Sequence, residues 1–138
     1  MQIALFQPDI PQNTGTILRL CACLDVAAHI IEPAGFATSD RTFRRAGMDY
    51  LDQVQLSRHD SWPKFEQWRR SLGHRLVLFT TRGAGSYLDY AYEPDDILFL
   101  DDDASGDPEF IRDLDFGDRP EGTTVTHRIK LFNSSTTK

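Results

Sequence analysis

Four groups of residues in this 138-residue chain are able to do chemistry. Arg19 lies off the apolar stripe of the helical pattern that begins near Asn13. Its guanidinium stays protonated in proteins, so it suits electrostatic stabilisation of an anion rather than proton abstraction. Asn13, Thr14 and Gly15 stand at the start of the same pattern, where backbone N–H groups and a small side chain can meet a phosphate; the plainer reading is an N-cap. Arg41, Arg44 and Arg45 form a basic cluster that could supply a phosphate-binding surface, although arginines on helix faces are more often solvated, and taken alone that plainer reading is favoured. Asp101-Asp102-Asp103 suggests a magnesium site, but acidic runs in turns are usually solvated, so no metal is assigned. His29, His59, His74 and His127 show no ligand spacing and read as surface or satisfied core residues. Cys21 and Cys23 fit neither a disulfide framework nor a zinc set, and read as reduced, partly buried thiols.

These groups must be positioned by elements that the chain spells out with some clarity. Ile3–Phe6 is a short apolar run closed by Pro8 and Pro11, a buried first strand. Ile17, Leu20, Cys21 and Leu24 then fall at i, i+3, i+4 and i+7, which predicts a helix capped by Asn13 or Thr14 with that face buried. His29–Ile31 reads as a second strand. Ser39–Ala46 reads as a short basic helix capped by Ser39 or Asp40, and Gln53–Leu56 as a third strand. Ser61, Trp62 and Pro63 open another helix, whose buried stripe is Trp62, Phe65, Trp68 and Leu72 and whose end is Gly73. Leu76–Phe79 and Ile97–Leu100 are continuous apolar runs that suit central strands. Beyond Asp101 a helix near Pro108–Leu114 and a strand near Val125–Leu131 are expected.

Strands alternating with helices predict an α/β fold with a largely parallel sheet, which binds ligands at the carboxyl ends of its strands. The length suits a single domain over residues 1–138. Neither end carries a signal-peptide or membrane-spanning apolar run, so the expected location is the cytoplasm. The net charge of -6 argues against nonspecific polyanion binding. The charge is uneven, however: residues 39–75 carry eight bases and five acids, and residues 101–138 five bases and nine acids.

Pro11-Gln12-Asn13-Thr14-Gly15-Thr16-Ile17-Leu18-Arg19-Leu20-Cys21 resembles the first motif of SPOUT RNA methyltransferases, and His29–Pro33 followed by Gly35-Phe36 resembles the next block. Arg44–Tyr50 and Thr80–Gly83 are similar to stretches of the tRNA wobble cytidine and uridine 2'-O-methyltransferases. Four blocks in order make a far more specific match than one short motif. Leu100–Pro108 keeps Gly106 and Pro108 of the family's next pattern, with Asp101 where the family has glycine. The closing pattern is met only at Asn133 and Ser135, and the family's last helix is missing.

The resemblance implies a SPOUT-type parallel sheet flanked by helices with a C-terminal trefoil knot, a rare exception to the rule against knotted chains. It implies S-adenosylmethionine as cofactor, tRNA as substrate and a homodimer whose sites combine both subunits. It makes Arg19 the catalytic arginine. It assigns Phe79, Thr80, Thr81 and Gly83 to the cofactor loop, and Asp101, Gly106, Thr123, Leu131 and Asn133 to the rest of the pocket. A second reading is a noncatalytic RNA-binding or dimerising relative, motivated by the carboxylate of Asp101. A general nucleotide-binding domain ranks last, because no Gly-rich phosphate loop is present.

Overall fold

A computed structural model describes residues 1–45, 48–80 and 85–101, together with the backbone of a strand at 127–130. Seven strands form one sheet: β1 (Gln2–Phe6), β2 (Ala27–Ile31), β3 (Leu56–His59), β4 (Leu76–Thr80), β5 (Gly85–Ser86), β6 (Ile97–Asp101) and β7 (His127–Lys130). Their order is β3-β2-β1-β6-β4-β7-β5, and every pairing is parallel. The helices are α1 (Pro11–Leu24), α2 (Asp40–Arg45) and α3 (Trp62–Leu72), with a 3-10 turn at Asp49–Gln53. The expected α/β architecture is therefore present. The expected knot and the helix near 108–114 lie outside the described residues, whereas the expected last strand appears as β7.

The sheet is covered on both faces, each with its own core. Alternate residues of the strands point to opposite sides. Ala4, Phe6, Ile31, Leu76, Leu78, Ile97 and Phe99 meet Phe65 of α3, with Trp62 and Trp68 packed against them. Ala28 and Ile30 face the other way, toward Leu18 and Cys21 of α1, Phe43 of α2, and Met48, Leu51 and Val54 around the 3-10 turn. Trp62 and Trp68 are thus core residues, as their helical spacing indicates.

The amino ends of the three central strands are joined by one buried carboxylate. Asp96 is fully buried just before β6. Arg75, just before β4, donates to it twice, from Nε to Oδ1 at 2.6 Å and from Nη2 to Oδ2 at 2.7 Å. The Gln2 N–H of β1 donates to the Asp96 carbonyl at 2.9 Å. Burial alone would raise the Asp96 carboxyl; the Arg75 hydrogen bonds hold it below the usual carboxylate range. At the end of α3, Arg69 Nε donates to Glu66 Oε2 at 2.7 Å and Arg69 Nη1 to the His74 carbonyl at 2.5 Å, tying the helix to the turn into β4.

Several expectations are corrected. Helix α1 begins at Pro11, and its N-cap is Ile10, which makes no side-chain cap bond. Asn13 and Thr14 lie inside the first turn. Proline at the first helical position has no N–H to leave unpaired, so the start tolerates an apolar cap. The buried face of α1 is Thr14, Gly15, Leu18 and Cys21; Leu20 and Leu24 are 51% and 62% exposed. Of the expected stripe, Cys21 is buried and Ile17 packs against the core, while Leu20 and Leu24 lie off this face because the sheet and the 3-10 turn receive Thr14, Gly15 and Leu18 instead. Leu72 of α3 is likewise exposed, Cys23 is exposed while Cys21 is buried, and both thiols are free. The third strand is Leu56–His59, while Asp49–Gln53 forms the 3-10 turn before it. The capping expectation holds for α2, where Ser39 Oγ accepts from the Thr42 N–H at 3.3 Å.

His29 and His59, thirty residues apart, meet across β2 and β3. The acceptor Gln2 Oε1, 2.6 Å away, fixes the proton of His29 on Nε2. His29 Nδ1 is then the acceptor for the His59 Nε2–H at 3.0 Å. Burial drives His29 down to about 4, with the charges of His59 and His74 acting in the same direction.

Two measurements test this packing. Leu18→Ala should lower the unfolding free energy by about 2–5 kcal/mol, whereas Leu20→Ala should cost less than about 1 kcal/mol, both read by urea denaturation. The unfolded chain protonates His29 near its ordinary value of 6.5, and the folded chain resists protonation down to about 4. The His29 contribution to stability should therefore fall as pH drops from 6.5 toward 4 and level off below, by on the order of 3 kcal/mol, with the carboxylate losses of acid following at lower pH. Denaturation of His29→Phe at a series of pH values should show that slope reduced; an unchanged slope would refute the assignment.

Candidate methyl-transfer site

Parallel pairing brings the carboxyl ends of the central strands to one edge. Phe6 of β1 pairs with Asp101 of β6, Phe79 of β4 with Leu100 of β6, and Thr80 of β4 with Lys130 of β7. The strand order turns at β1, with β2 and β3 on one side and β6 and β4 on the other. Such a switch point leaves a crevice outside the strand ends. Phe79 and Leu100 are half-buried there, and the loops after β4 and β6 leave from this edge. Thr81, Gly83, Gly106, Thr123, Leu131 and Asn133 lie outside the described residues; Thr80 and Asp101 are placed by their backbone as the last residues of β4 and β6.

A half-open cavity of about 40 Å³ lies beside these ends, lined by Leu5, Phe6, Pro8, Asn13, Thr14, Ile17 and Leu100. It has room for water and not for a nucleoside. The cofactor assignment thus rests on the edge formed by β6, β4 and β7. The half-buried apolar side chains of Phe79 and Leu100, at adjacent strand ends, fit an adenosine, which needs a flat apolar wall.

The start of α1 is narrower as an anion site than the sequence suggests. The Thr14 N–H already donates to the Ile10 carbonyl at 3.1 Å, and Thr14 Oγ1 donates to the same oxygen at 3.2 Å. Pro11 has no N–H, so of the first helical residues only Gln12 and Asn13 could offer one to an anion. Thr14 is buried and Asn13 exposed. Gly15 faces the 3-10 turn: a Cβ on it would stand 2.7 Å from Met48 Cε, so its lack of a side chain permits the close approach.

Arg19 is exposed on α1, with its Cζ 5.2 Å from the centre of the Tyr50 ring. Tyr50 is half-buried, and its hydroxyl donates to the Gly15 carbonyl at 2.5 Å. Burial raises the Tyr50 phenol, and the neighbouring Arg19 cation opposes that rise. On α2, Arg41, Arg44 and Arg45 are all exposed. Arg44 pairs with Asp52 at 2.5 Å, and Arg58 of β3 pairs with Asp40 at 2.5 Å. Arg41 and Arg45 have no acidic partner among the described residues. The structure therefore joins Arg19 to the turn that follows α2. Tyr50 went unsingled in the sequence, although it closes the Arg44–Tyr50 block.

The family model described as SpoU rRNA Methylase matches residues 1–113. The chain belongs to the SpoU rRNA methylase family. A tRNA (cytidine(34)-2'-O)-methyltransferase of Beijerinckia indica is 60% identical over 109 residues, 79% of this chain and 68% of that protein. The Escherichia coli protein of the same name is 38% identical over 113 residues, 82% of this chain and 71% of that one. A solved structure concerned with 2-OH methylation of C/U34 on tRNA superposes with a TM-score of 0.73 at 32% identity, covering 94% of this chain and 79% of the other. The SpoU methyltransferase AviRb of Streptomyces viridochromogenes, solved with AdoMet, has the same fold, with a TM-score of 0.70 at 19% identity over 100% of this chain and 51% of its own. These likenesses bear out the family resemblance and the expected fold class.

The contact between Gly15 and Met48 makes a direct test of how the site is built. Gly15→Ala pushes aside only the flexible Met48 methyl, and the helix preference for alanine over glycine, about 1 kcal/mol, offsets that cost, so little change in unfolding free energy is expected. Gly15→Val should lower it by about 1–3 kcal/mol, and no loss in that variant would show that α1 does not need this approach.

Proposed function

We propose that this chain is an S-adenosylmethionine-dependent methyltransferase that modifies the ribose 2'-hydroxyl of the wobble nucleotide of a tRNA anticodon. The observation that carries the reading is the 60% identity to a tRNA (cytidine(34)-2'-O)-methyltransferase over 109 residues, 79% of this chain. The relatives compared above carry the methyltransferase name, which favours catalysis over a noncatalytic relative. As a tRNA-modifying enzyme it acts in the cytoplasm, as one domain over residues 1–138.

When bound, S-adenosylmethionine supplies an electrophilic methyl group on its sulfonium. Phe79 and Thr80 at the end of β4 and Asp101 at the end of β6, together with Thr81, Gly83, Gly106, Thr123, Leu131 and Asn133, would hold it. Arg19 contacts the target phosphate and stabilises the charge that grows on the 2'-oxygen as its proton leaves. It remains protonated throughout and is not the base. Arg41 and Arg45 hold phosphates of the anticodon stem; Arg44 belongs to the same surface but shares its charge with Asp52. The exposed Asn13 faces the RNA, with the buried Thr14 and Gly15 shaping the turn behind it. The enzyme works as a homodimer, and the exposed Leu20 and Leu24 on the outer face of α1 give it an apolar surface to bury.

Calorimetric titration with S-adenosylmethionine and its demethylated product should give saturable binding. Arg19→Ala should keep that binding and slow methylation of an unmodified tRNA transcript by about 100–1,000-fold. A folded protein that binds neither compound would overturn the enzymatic reading.

A further inference from the structure

We infer that Tyr50 is a positioning residue for Arg19, holding both the helical turn that carries it and its guanidinium. This rests on the role given to Arg19 above. The two contacts are independent of each other and converge on one side chain. In an α-helix the carbonyl of residue 15 is the acceptor for the N–H of residue 19. The Tyr50 hydroxyl donates to that same Gly15 carbonyl at 2.5 Å. Tyr50 therefore grips the turn from which Arg19 projects. Its ring meanwhile lies 5.2 Å from the Arg19 Cζ, within the range where a cation is drawn to an aromatic face.

The grip is built into the second core. Met48 is buried one side of the 3-10 turn and Leu51 the other, so the backbone that bears Tyr50 is anchored from both directions. Gly15 has no Cβ to keep that turn away. Arg19 has no carboxylate partner among the described residues, which leaves its charge available to an RNA phosphate. A carboxylate would hold the guanidinium equally well but would neutralise it. The aromatic side chain restrains a long, flexible guanidinium without neutralising its charge. Catalysis that depends on orientation is sensitive to such restraint, because a small misplacement of a charged group costs rate rather than substrate binding.

The test combines a structural readout with a kinetic one on the full chain. With arginine labelled by nitrogen-15, the Arg19 side-chain proton signals should be shifted upfield by the ring current of Tyr50. Tyr50→Phe should keep that shift and Tyr50→Leu should lose it. Single-turnover methylation of an unmodified tRNA transcript should slow about tenfold in Tyr50→Leu and about threefold or less in Tyr50→Phe, with KM for tRNA and cofactor affinity unchanged. Combining Tyr50→Leu with Arg19→Lys should slow transfer no further than Arg19→Lys alone. Multiplicative losses, or an Arg19 signal indifferent to Tyr50, would overturn the inference. If Arg19→Ala is itself fully active, the catalytic role of Arg19 fails instead, and the ring-current shift still reports whether Tyr50 holds it. Should Tyr50→Leu not fold, the ring-current shift of Arg19 in the unaltered chain tests the ring contact and the rate of Tyr50→Phe, which lacks only the hydroxyl, tests the grip on the Gly15 carbonyl.

Discussion

The bidentate pair of Arg75 with the buried Asp96 fixes the amino ends of the central strands, and the geometry of the opposite edge follows from it. Asp96 precedes β6 and Arg75 precedes β4, while the β1 amide at Gln2 bonds the Asp96 carbonyl. A buried carboxylate is costly unless charged hydrogen bonds satisfy it. Register is therefore strongly specified here, because a slipped strand would leave that charge unpaired and turn apolar side chains to the wrong face. With β1, β6 and β4 aligned at one end and equal in length, Phe6, Leu100 and Phe79 arrive together at the other. The edge assigned to the cofactor is thus set five residues away from it.

The second layer hangs the RNA-facing residues on the same frame. Helix α1 offers the sheet small residues, Thr14, Gly15 and Cys21, with Leu18 as its one large buried side chain. A helix that sits this close leaves little play in the position of Arg19. The 3-10 turn then wedges between α1 and α2, with Met48 and Leu51 in the core and Tyr50 reaching back to the Gly15 carbonyl. Arg19 and the arginines of α2, far apart in the sequence, are thereby connected through a single turn. Ion pairs divide the basic surface further: Asp52 takes Arg44 and Asp40 takes Arg58, leaving Arg41 and Arg45 for phosphates.

The face under α3 carries no proposed chemistry and illustrates how a fold disposes of polar residues. His29 has its proton fixed by Gln2 and its lone pair satisfied by His59, and α3 covers both with Phe65 and Trp68. Their separation in sequence gives no hint of this pairing. It arises because β1, β2 and β3 are neighbours and the three side chains emerge on one side of the sheet. A neutral pair is compatible with burial, and its intolerance of protonation makes this face the acid-sensitive part of the molecule.

The sequence by itself determined the alternation of strands and helices, the central position of the two continuous apolar runs, the ends of α3 at Ser61 and Gly73, and the family motif containing Arg19. Each of these is written in neighbouring residues, through side-chain periodicity, proline and glycine punctuation, or an unbroken block of residue types. Tertiary structure alone decided which face of α1 is buried, that β6 lies between β1 and β4, and that Tyr50 meets Arg19. In α1 the leucines mark a helix but not its orientation, since the partner surface was shaped to receive Thr14 and Gly15. Contacts between Arg19 and Tyr50, Arg75 and Asp96, or His29 and His59 span 21 to 31 positions of the chain. No local propensity encodes them, because their free energy is gained only after the sheet has brought those segments together.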